Sequence, residues 1–242
     1  MGTLICTIVL ITVSSLFPAA QTKPAPSAKP PVRTPMAAPA AEPLAIIHTT
    51  AGDMHCRLFE KQAPIGVANF IGLADGTKDW VNPISHAKKH GVPLYDGTIF
   101  HRVIPEFMIQ GGDPAGNGAG DPGYKFRNEV SSDLKFDRPG RLAYANSGPD
   151  TNGSQFFITE DVAHSAHLTG NYTIFGQCDP AAVELVKKIA RMTRDPSNDR
   201  PFHPVKITHI EIQRGAAAAT TKTPAARTTG TKPPAGVKAP QQ

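Results

Sequence analysis

Residues 100–113 read Phe-His-Arg-Val-Ile-Pro-Glu-Phe-Met-Ile-Gln-Gly-Gly-Asp, and they place one arginine, Arg102, on a strand-like segment ahead of a glycine-rich bend. We expect the apolar neighbours to surround its guanidinium: Phe100, Val103, Phe107, Met108 and Ile109. The fixed N–H donors of an arginine act most strongly in such low-dielectric surroundings. The stretch therefore indicates a functional arginine rather than a solvated one.

A second stretch, residues 142–159, reads Leu-Ala-Tyr-Ala-Asn-Ser-Gly-Pro-Asp-Thr-Asn-Gly-Ser-Gln-Phe-Phe-Ile-Thr. Together the two stretches resemble the cyclophilin family of peptidyl-prolyl isomerases. The family pattern F-H-R-x-I-P-x-F-M-x-Q-G-G-D is met by residues 100–113, and A-N-x-G-P-x-T-N-G-S-Q-F-F-I is met by residues 145–158. The resemblance continues through residues 168–176 and covers residues 44–213.

The two ends of the chain differ from its middle in composition. Residues 21–43 are dominated by proline and alanine, and residues 215–242 by alanine, threonine, lysine and proline. Neither stretch has the apolar periodicity needed to offset its ordering entropy, so both are predicted to be disordered. One isomerase-like domain over residues 44–214 remains between them.

Positive charge is concentrated at these ends. Residues 1–42 and 214–242 together hold eight basic residues and one acidic residue, a net +7, whereas the whole chain carries +5. The middle of the chain is therefore slightly acidic. The basic tail acts either as a solvated spacer or as a loose binder of anionic polymers, and we expect no specific recognition of nucleic acid.

The first 20 residues are predicted to form an export signal, because an apolar run from Leu4 to Leu16 precedes small residues that end at Ala20. We expect export to the periplasm or secretion. The run lacks a basic start and has Pro18 near the cleavage point, so an uncleaved membrane anchor or a wrongly assigned start stays open. Membrane attachment is expected only if the segment is not cleaved.

Cys56 and Cys178 would remain after cleavage, and both lie in strand-like apolar runs. We expect them to be free, because an unpaired cysteine behaves as a small buried hydrophobe. They can form a disulfide only if their Cα atoms come within about 7 Å of each other.

Hydrophobic periodicity predicts mainly β structure. A hairpin over residues 45–58 opens the domain, one helix spans 64–74, and a second follows the capping residue Asp179 to about Met192. Residues 77–96 are predicted to be a long loop. The other candidate strands cover residues 97–104, 107–112, 141–145, 155–159, 173–178 and 205–213. Many short strands favour a barrel or a sandwich. The resemblance selects a closed eight-stranded antiparallel β-barrel capped by two α-helices.

The resemblance also assigns roles to individual residues. Isomerisation of an X-Pro bond faces a barrier of about 18–20 kcal/mol, and a hydrogen-bond donor in a dry pocket lowers it without a nucleophile, metal or cofactor. Arg102 matches this donor, and Gln110 is expected to hold its guanidinium by a side-chain hydrogen bond. Four residues match the proline pocket: Phe107, Met108, Phe157 and Leu168. Three match positions that bind the substrate backbone: Ala145, Asn146 and Gln155.

Two positions near the pocket depart from the family pattern. His167 stands where many cyclophilins have tryptophan, and Tyr172 stands where they have histidine. Tyrosine keeps an aromatic wall and a polar tip, so we expect proline binding to survive. The resemblance implies that losing the tryptophan weakens binding of cyclosporin more than catalysis.

The sequence supports two hypotheses for the function of the domain, and a third in which the enzyme domain is a passenger on the basic tail. The first is a monomeric isomerase acting on proline-containing peptides and on unfolded or folding proteins. The second is a proline-peptide binding module or chaperone that captures chains without turnover. Arg102 favours the first hypothesis, because binding alone would tolerate its loss.

Overall fold

The structure is a computed structural model that describes residues 42–214. The predicted signal segment, nearly all of the predicted linker and the basic tail lie outside these residues. The elements run in chain order as β1 Leu44–Thr49, β2 Gly52–Leu58, α1 Pro64–Ala74, β3 Trp80–Val81, β4 Lys88–Lys89, β5 Arg102–Ile104, β6 Met108–Gly111, β7 Arg141–Tyr144, β8 Phe156–Thr159, a 3₁₀ turn Ala166–Leu168, β9 Ile174–Cys178, α2 Pro180–Ala190 and β10 Ile207–Gln213.

Eight of these strands form one curled antiparallel sheet in the order β10-β1-β2-β9-β7-β8-β6-β5. This confirms the mainly β fold with eight strands and two helices. In this order β10 and β5 stand at the two edges. Backbone contacts link the segments that lead into them: Ile99 forms a bridge with Lys206, and the Phe100 N–H donates to the Val205 carbonyl at 3.0 Å.

Both predicted helices are present with their expected starts. α1 begins at Pro64, and the carboxylate of Glu129 accepts hydrogen bonds from the N–H groups of Ile65 and Gly66 at 3.0 and 2.7 Å. This carboxylate supplies the N-terminal cap that the local sequence lacks. Asp179 caps α2 by accepting from the Ala182 N–H at 2.7 Å, and the helix ends slightly earlier than predicted, at Ala190.

The sheet separates two apolar clusters, and this corrects the expected surroundings of Arg102. Phe100, Val103 and Ile109 belong to the main core beneath α1 and α2, whereas Met108 belongs to a smaller cluster. Successive side chains on a strand point to opposite faces, so these three residues cannot surround a guanidinium that shares its face with Met108.

Cys56 and Cys178 are joined by a disulfide, so the expectation of free thiols was wrong. The two residues stand directly opposite each other on the antiparallel strands β2 and β9, with their Cα atoms 3.8 Å apart. The register of these strands, which are far apart in the chain, brings the thiols together.

The stretch predicted as a long loop contains a small hairpin instead. Its strands β3 and β4 pair through Trp80 with Lys89 and Val81 with Lys88. The buried indole of Trp80 donates to the carbonyl of Val92 at 2.8 Å. The Val81 N–H bonds to the carbonyl of Pro122 at 2.9 Å, so the hairpin braces a turn that follows β6. Within residues 42–214, no helix combines the length and apolarity needed to cross a membrane.

Candidate active site

A groove of about 590 Å³ runs over the face of the sheet that carries the smaller apolar cluster. It is lined by nearly all the site residues predicted from the sequence: Arg102, Phe107, Met108, Gln110, Ala145, Asn146, Gln155, Phe157, Leu168 and Tyr172. His167 does not line the groove itself. Its exposed ring stacks on Phe107, with the ring centroids 6.4 Å apart.

Strand register brings the two sequence motifs into one row across the sheet. Arg102 on β5 pairs with Gln110 on β6, Gln110 pairs with Phe157 on β8, and Phe157 pairs with Ala143 on β7. Directly paired residues share a face, so a guanidinium, an amide and an aromatic ring follow one another on the groove side. The arrangement sets a charged donor at one end of an apolar floor.

The apolar floor is formed by side chains that are almost fully buried. Met108 is 2% exposed and Phe157 is 4% exposed. Below the floor, Phe136 stacks on Phe157 with the centroids 5.8 Å apart, and Tyr172 meets the same ring edge-on at 5.6 Å. Sequence reasoning missed Phe136, because it stands alone between charged residues and outside both motifs.

The guanidinium of Arg102 lies at the rim of the groove with 42% of the side chain exposed. Its Nε atom is 3.6 Å from Oδ2 of Asp199. The expected bond from Gln110 is not the one that forms. The amide of Gln110 donates to Oε1 of Gln155 at 3.0 Å, and the arginine forms an ion pair with Asp199.

Gln155 connects the floor to a loop on the far wall. Its amide nitrogen donates to the carbonyls of Gly118 and Gly120 at 3.0 and 2.8 Å. The carboxylate of Asp113, which is 1% exposed, holds the same loop by accepting from the N–H groups of Asn117 and Gly118 at 2.9 and 2.6 Å. The loop is therefore fixed from both its start and its middle.

Asn146 is itself fixed on the same side of the groove. Its side-chain nitrogen donates to Oδ1 of Asn152 at 3.2 Å, and its own Oδ1 accepts from the Gly148 N–H at 3.2 Å. The neighbouring Ala145 bonds through its N–H to the Gln155 carbonyl at 3.0 Å. These contacts hold the edge that a substrate backbone would meet.

His101 lies in the groove wall and is 5% exposed. Desolvation lowers the pKa of its imidazole, an effect that the positive charges of Arg200 and Arg102 reinforce and that Asp113 opposes. The ring is therefore neutral near pH 7. Among the residues that the structure describes, neither ring nitrogen has a hydrogen-bond partner.

The groove supplies positioning and electrostatics. The nearby hydroxyl of Ser154 donates to the carbonyl of Gly112 at 2.8 Å and is buried, so it is not arranged as a nucleophile beside His101. Across residues 42–214, no three His, Cys, Asp or Glu side chains group together as candidate metal ligands.

The curled eight-stranded sheet, two helices and arginine-rimmed groove define a cyclophilin-type fold. A family model described as "Cyclophilin type peptidyl-prolyl cis-trans isomerase/CLD" matches residues 44–212. The chain belongs to this family and is a peptidyl-prolyl cis-trans isomerase.

Two curated relatives are similar over nearly their whole length. Peptidyl-prolyl cis-trans isomerase A of Mycobacterium tuberculosis is 50% identical over 174 residues, covering 72% of this chain and 94% of the relative. Peptidyl-prolyl cis-trans isomerase B of Streptomyces anulatus is 49% identical over 170 residues, covering 70% and 95%.

Solved structures are similar as well. A cyclophilin-type isomerase from Cryptosporidium parvum superposes with a TM-score of 0.59 at 33% identity, over 72% of this chain and 99% of that one. The same isomerase in the presence of the dipeptide Ala-Pro gives a TM-score of 0.57 at 32% identity, over 71% and 99%.

Proposed function

We propose that this isomerase rotates X-Pro bonds by holding the proline ring on the apolar floor while Arg102 stabilises the twisted amide. The observation that carries the proposal is the single row of paired residues, in which Arg102, Gln110 and Phe157 follow one another across three strands. A proline ring over Phe157 lies within reach of a donor at the rim.

The chemistry requires no covalent step. Twisting an amide costs its resonance, so the prolyl nitrogen becomes pyramidal and its lone pair, no longer delocalised into the carbonyl, can accept a hydrogen bond. A guanidinium stays charged at all physiological pH values and offers fixed donors to that lone pair. The Arg102 side chain is 42% exposed in the open groove, and a bound peptide would displace water and strengthen the interaction.

The proposed substrates are proline-containing segments of unfolded or folding proteins. A similar isomerase was solved in the presence of Ala-Pro, which supports a proline-containing peptide as the ligand class. Ala145 and Asn146 would bind the peptide backbone along the far side of the groove. Such catalysis matters for folding because uncatalysed exchange takes tens to hundreds of seconds.

The decisive experiment compares wild type with Arg102→Ala in a protease-coupled assay on an Ala-Pro peptide. Removing a transition-state donor is expected to lower kcat/KM by about a hundredfold, while peptide binding changes far less. Arg138→Ala is the control, because within residues 42–214 its exposed guanidinium pairs only with Asp137. Equal rates for wild type and Arg102→Ala would reject the mechanism, and wild-type peptide binding without measurable turnover in either protein would favour the binding-module hypothesis.

We also infer that the protein is exported. The disulfide between Cys56 and Cys178 supports this proposal, because disulfides persist in oxidising compartments. N-terminal sequencing of protein from extracytoplasmic fractions should find Gln21 as the first residue. An intact Met1 in a membrane fraction would support the uncleaved anchor instead.

We infer in addition that the sheet closes into a barrel. The bridge between Ile99 and Lys206 and the bond from the Gly97 N–H to the Ile207 carbonyl, 2.8 Å long, support closure between the β5 and β10 edges. Closure predicts slow hydrogen exchange of the Gly97 and Phe100 amides. Exchange as fast as that of open-loop amides would reject it.

A further inference from the structure

Asp199 is the only acidic residue whose carboxylate lies within 4.0 Å of the Arg102 guanidinium among residues 42–214. It lies in the segment between α2 and β10. We propose that Asp199 is a positioning residue that orients the guanidinium of Arg102 over the groove. The inference rests on the proposed role of Arg102 and assigns the residue that supports it.

The backbone of Asp199 is anchored to the strand that carries the arginine. Its carbonyl accepts a hydrogen bond from the Val103 N–H at 2.9 Å, one residue after Arg102. Its own N–H donates to the Asp195 carbonyl at 2.8 Å. The backbone of Asp199 is therefore held beside β5, next to the residue that carries the guanidinium.

The backbone at Asp199 adopts a left-handed conformation with φ 59°. Aspartate and asparagine tolerate this region better than most residues, whereas branched or bulky side chains are strained there. The conformation turns the side chain back toward Arg102 and Arg194. The Asp199 side chain is only 26% exposed, and partial burial of a carboxylate is costly unless the charge is paired. A simple connection between α2 and β10 would not require it.

The charges around Asp199 explain what the carboxylate does. Oδ2 lies 3.6 Å from Nε of Arg102, and Oδ1 lies 3.1 Å from Nε of Arg194. The next residue, Arg200, donates to the carbonyl of Gly116 and also lines the groove. Arg102 and Arg194 thus share one carboxylate, and without it their mutual repulsion would push the Arg102 side chain away from its position.

The contact uses only one part of the guanidinium. Asp199 approaches Nε, and within residues 42–214 neither Nη atom of Arg102 is in contact with a carboxylate. The outer donors are left for the substrate. A carboxylate that bound both Nη atoms would instead compete with the twisted amide.

Asp199→Asn tests the inference with little change in shape, since asparagine keeps the size and tolerates the left-handed backbone. We expect kcat/KM on an Ala-Pro peptide to fall about tenfold, below the roughly hundredfold that a displacement of about 1 Å can cost. The loss should lie in kcat, and affinity for the peptide should stay within about twofold, because the apolar floor is untouched. Asp133→Asn removes an exposed carboxylate elsewhere and should keep wild-type kcat.

A double-mutant cycle separates positioning from a structural role. In the Arg102→Ala background, Asp199→Asn should cause no further loss, whereas damage to the fold would lower the rate in both backgrounds. Full activity of Arg102→Ala would reject the proposed role of Arg102. An inactive Arg102→Ala together with a wild-type kcat for Asp199→Asn would overturn the Asp199 inference and leave the role of Arg102 standing.

One measurement needs no variant and covers the case in which Asp199→Asn does not fold. In the wild-type protein, the Arg102 Nε–H should exchange with solvent at least severalfold more slowly than that of the exposed Arg127, as observed by nitrogen-15 NMR. Equal exchange rates would overturn the inference.

Discussion

Gln110 donates a hydrogen bond to Oε1 of Gln155 at 3.0 Å, which links side chains of the two motifs across 45 residues of the chain. The side-chain nitrogen of Gln155 in turn donates hydrogen bonds to the carbonyls of Gly118 and Gly120. The amide pair therefore couples the strand beside Arg102 to the loop on the opposite wall of the groove. We expect this pair to hold the two walls of the groove at a fixed separation.

Gln155→Leu should loosen that wall. The loop carbonyls and the Gln110 amide lose their partner, so the free energy of unfolding should fall by about 1–2 kcal/mol. KM for an Ala-Pro peptide should rise as the loop gains freedom. Chemical denaturation and steady-state kinetics measure the two effects, with Gln213→Leu as the control because that side chain is exposed. Unchanged KM would mean that the loop does not set the groove.

Glu160 supports the turn between β5 and β6. Its carboxylate, 3% exposed, accepts from the Glu106 N–H at 2.9 Å and pairs with Arg191. Glu106 has φ 64°, so the turn needs this support. Glu160→Gln should lower the free energy of unfolding by about 1–3 kcal/mol, because a buried charge-assisted contact is lost. The exposed Glu184→Gln should cost far less in the same denaturation experiment.

The disulfide should contribute strongly to stability. Cys56 and Cys178 are separated by 122 residues. The cross-link lowers the conformational entropy of the unfolded chain. For a loop of this length, the chain-entropy treatment gives a stabilisation of at most about 5 kcal/mol. Urea denaturation with and without reductant measures the difference. The Cys56→Ala/Cys178→Ala variant should be equally unstable with or without reductant, and a wild-type response to reductant of under about 1 kcal/mol would contradict the expectation.

His101 should make the protein less stable at acidic pH. Burial lowers the pKa of its imidazole in the folded state below the value of about 6.5 in the unfolded chain. Near and below that pH, His101 is protonated in the unfolded chain but stays largely neutral in the folded protein. The free energy of unfolding therefore falls as the pH drops from 7 toward 5. His101→Gln should show a smaller loss across this interval in thermal unfolding. An identical pH dependence for the two proteins would rule out His101 as the cause.

His167→Trp should strengthen cyclosporin binding. His167 lies next to the pocket and stacks on Phe107, at the position where many cyclophilins carry the indole that contacts the drug. Calorimetric titration should give a lower Kd for the variant, with kcat/KM on the peptide changed little. The matched change Tyr172→His tests the second departure from the family pattern. Wild-type affinity equal to that of the tryptophan variant would show that the indole is not required here.

The sequence by itself determined the family and most of the residues that line the groove. Motifs such as residues 100–113 and 145–158 are contiguous, and the helix starts marked by Pro64 and by the capping residue Asp179 depend on neighbours within one helical turn, so local patterns reveal them. Alternation along the strands was also readable. Alternation does not say which residues on neighbouring strands share a face.

The tertiary structure decided the contacts that depend on strand register and those between residues that are far apart in the chain. It paired Cys56 with Cys178, stacked Phe136 under Phe157 and placed Asp199 beside Arg102. In it, Phe100, Val103 and Ile109 lie on the opposite face of the sheet from Met108, and not around Arg102 as expected. A shift of one residue in register reverses the face of every side chain on a strand, and no local spacing encodes that choice.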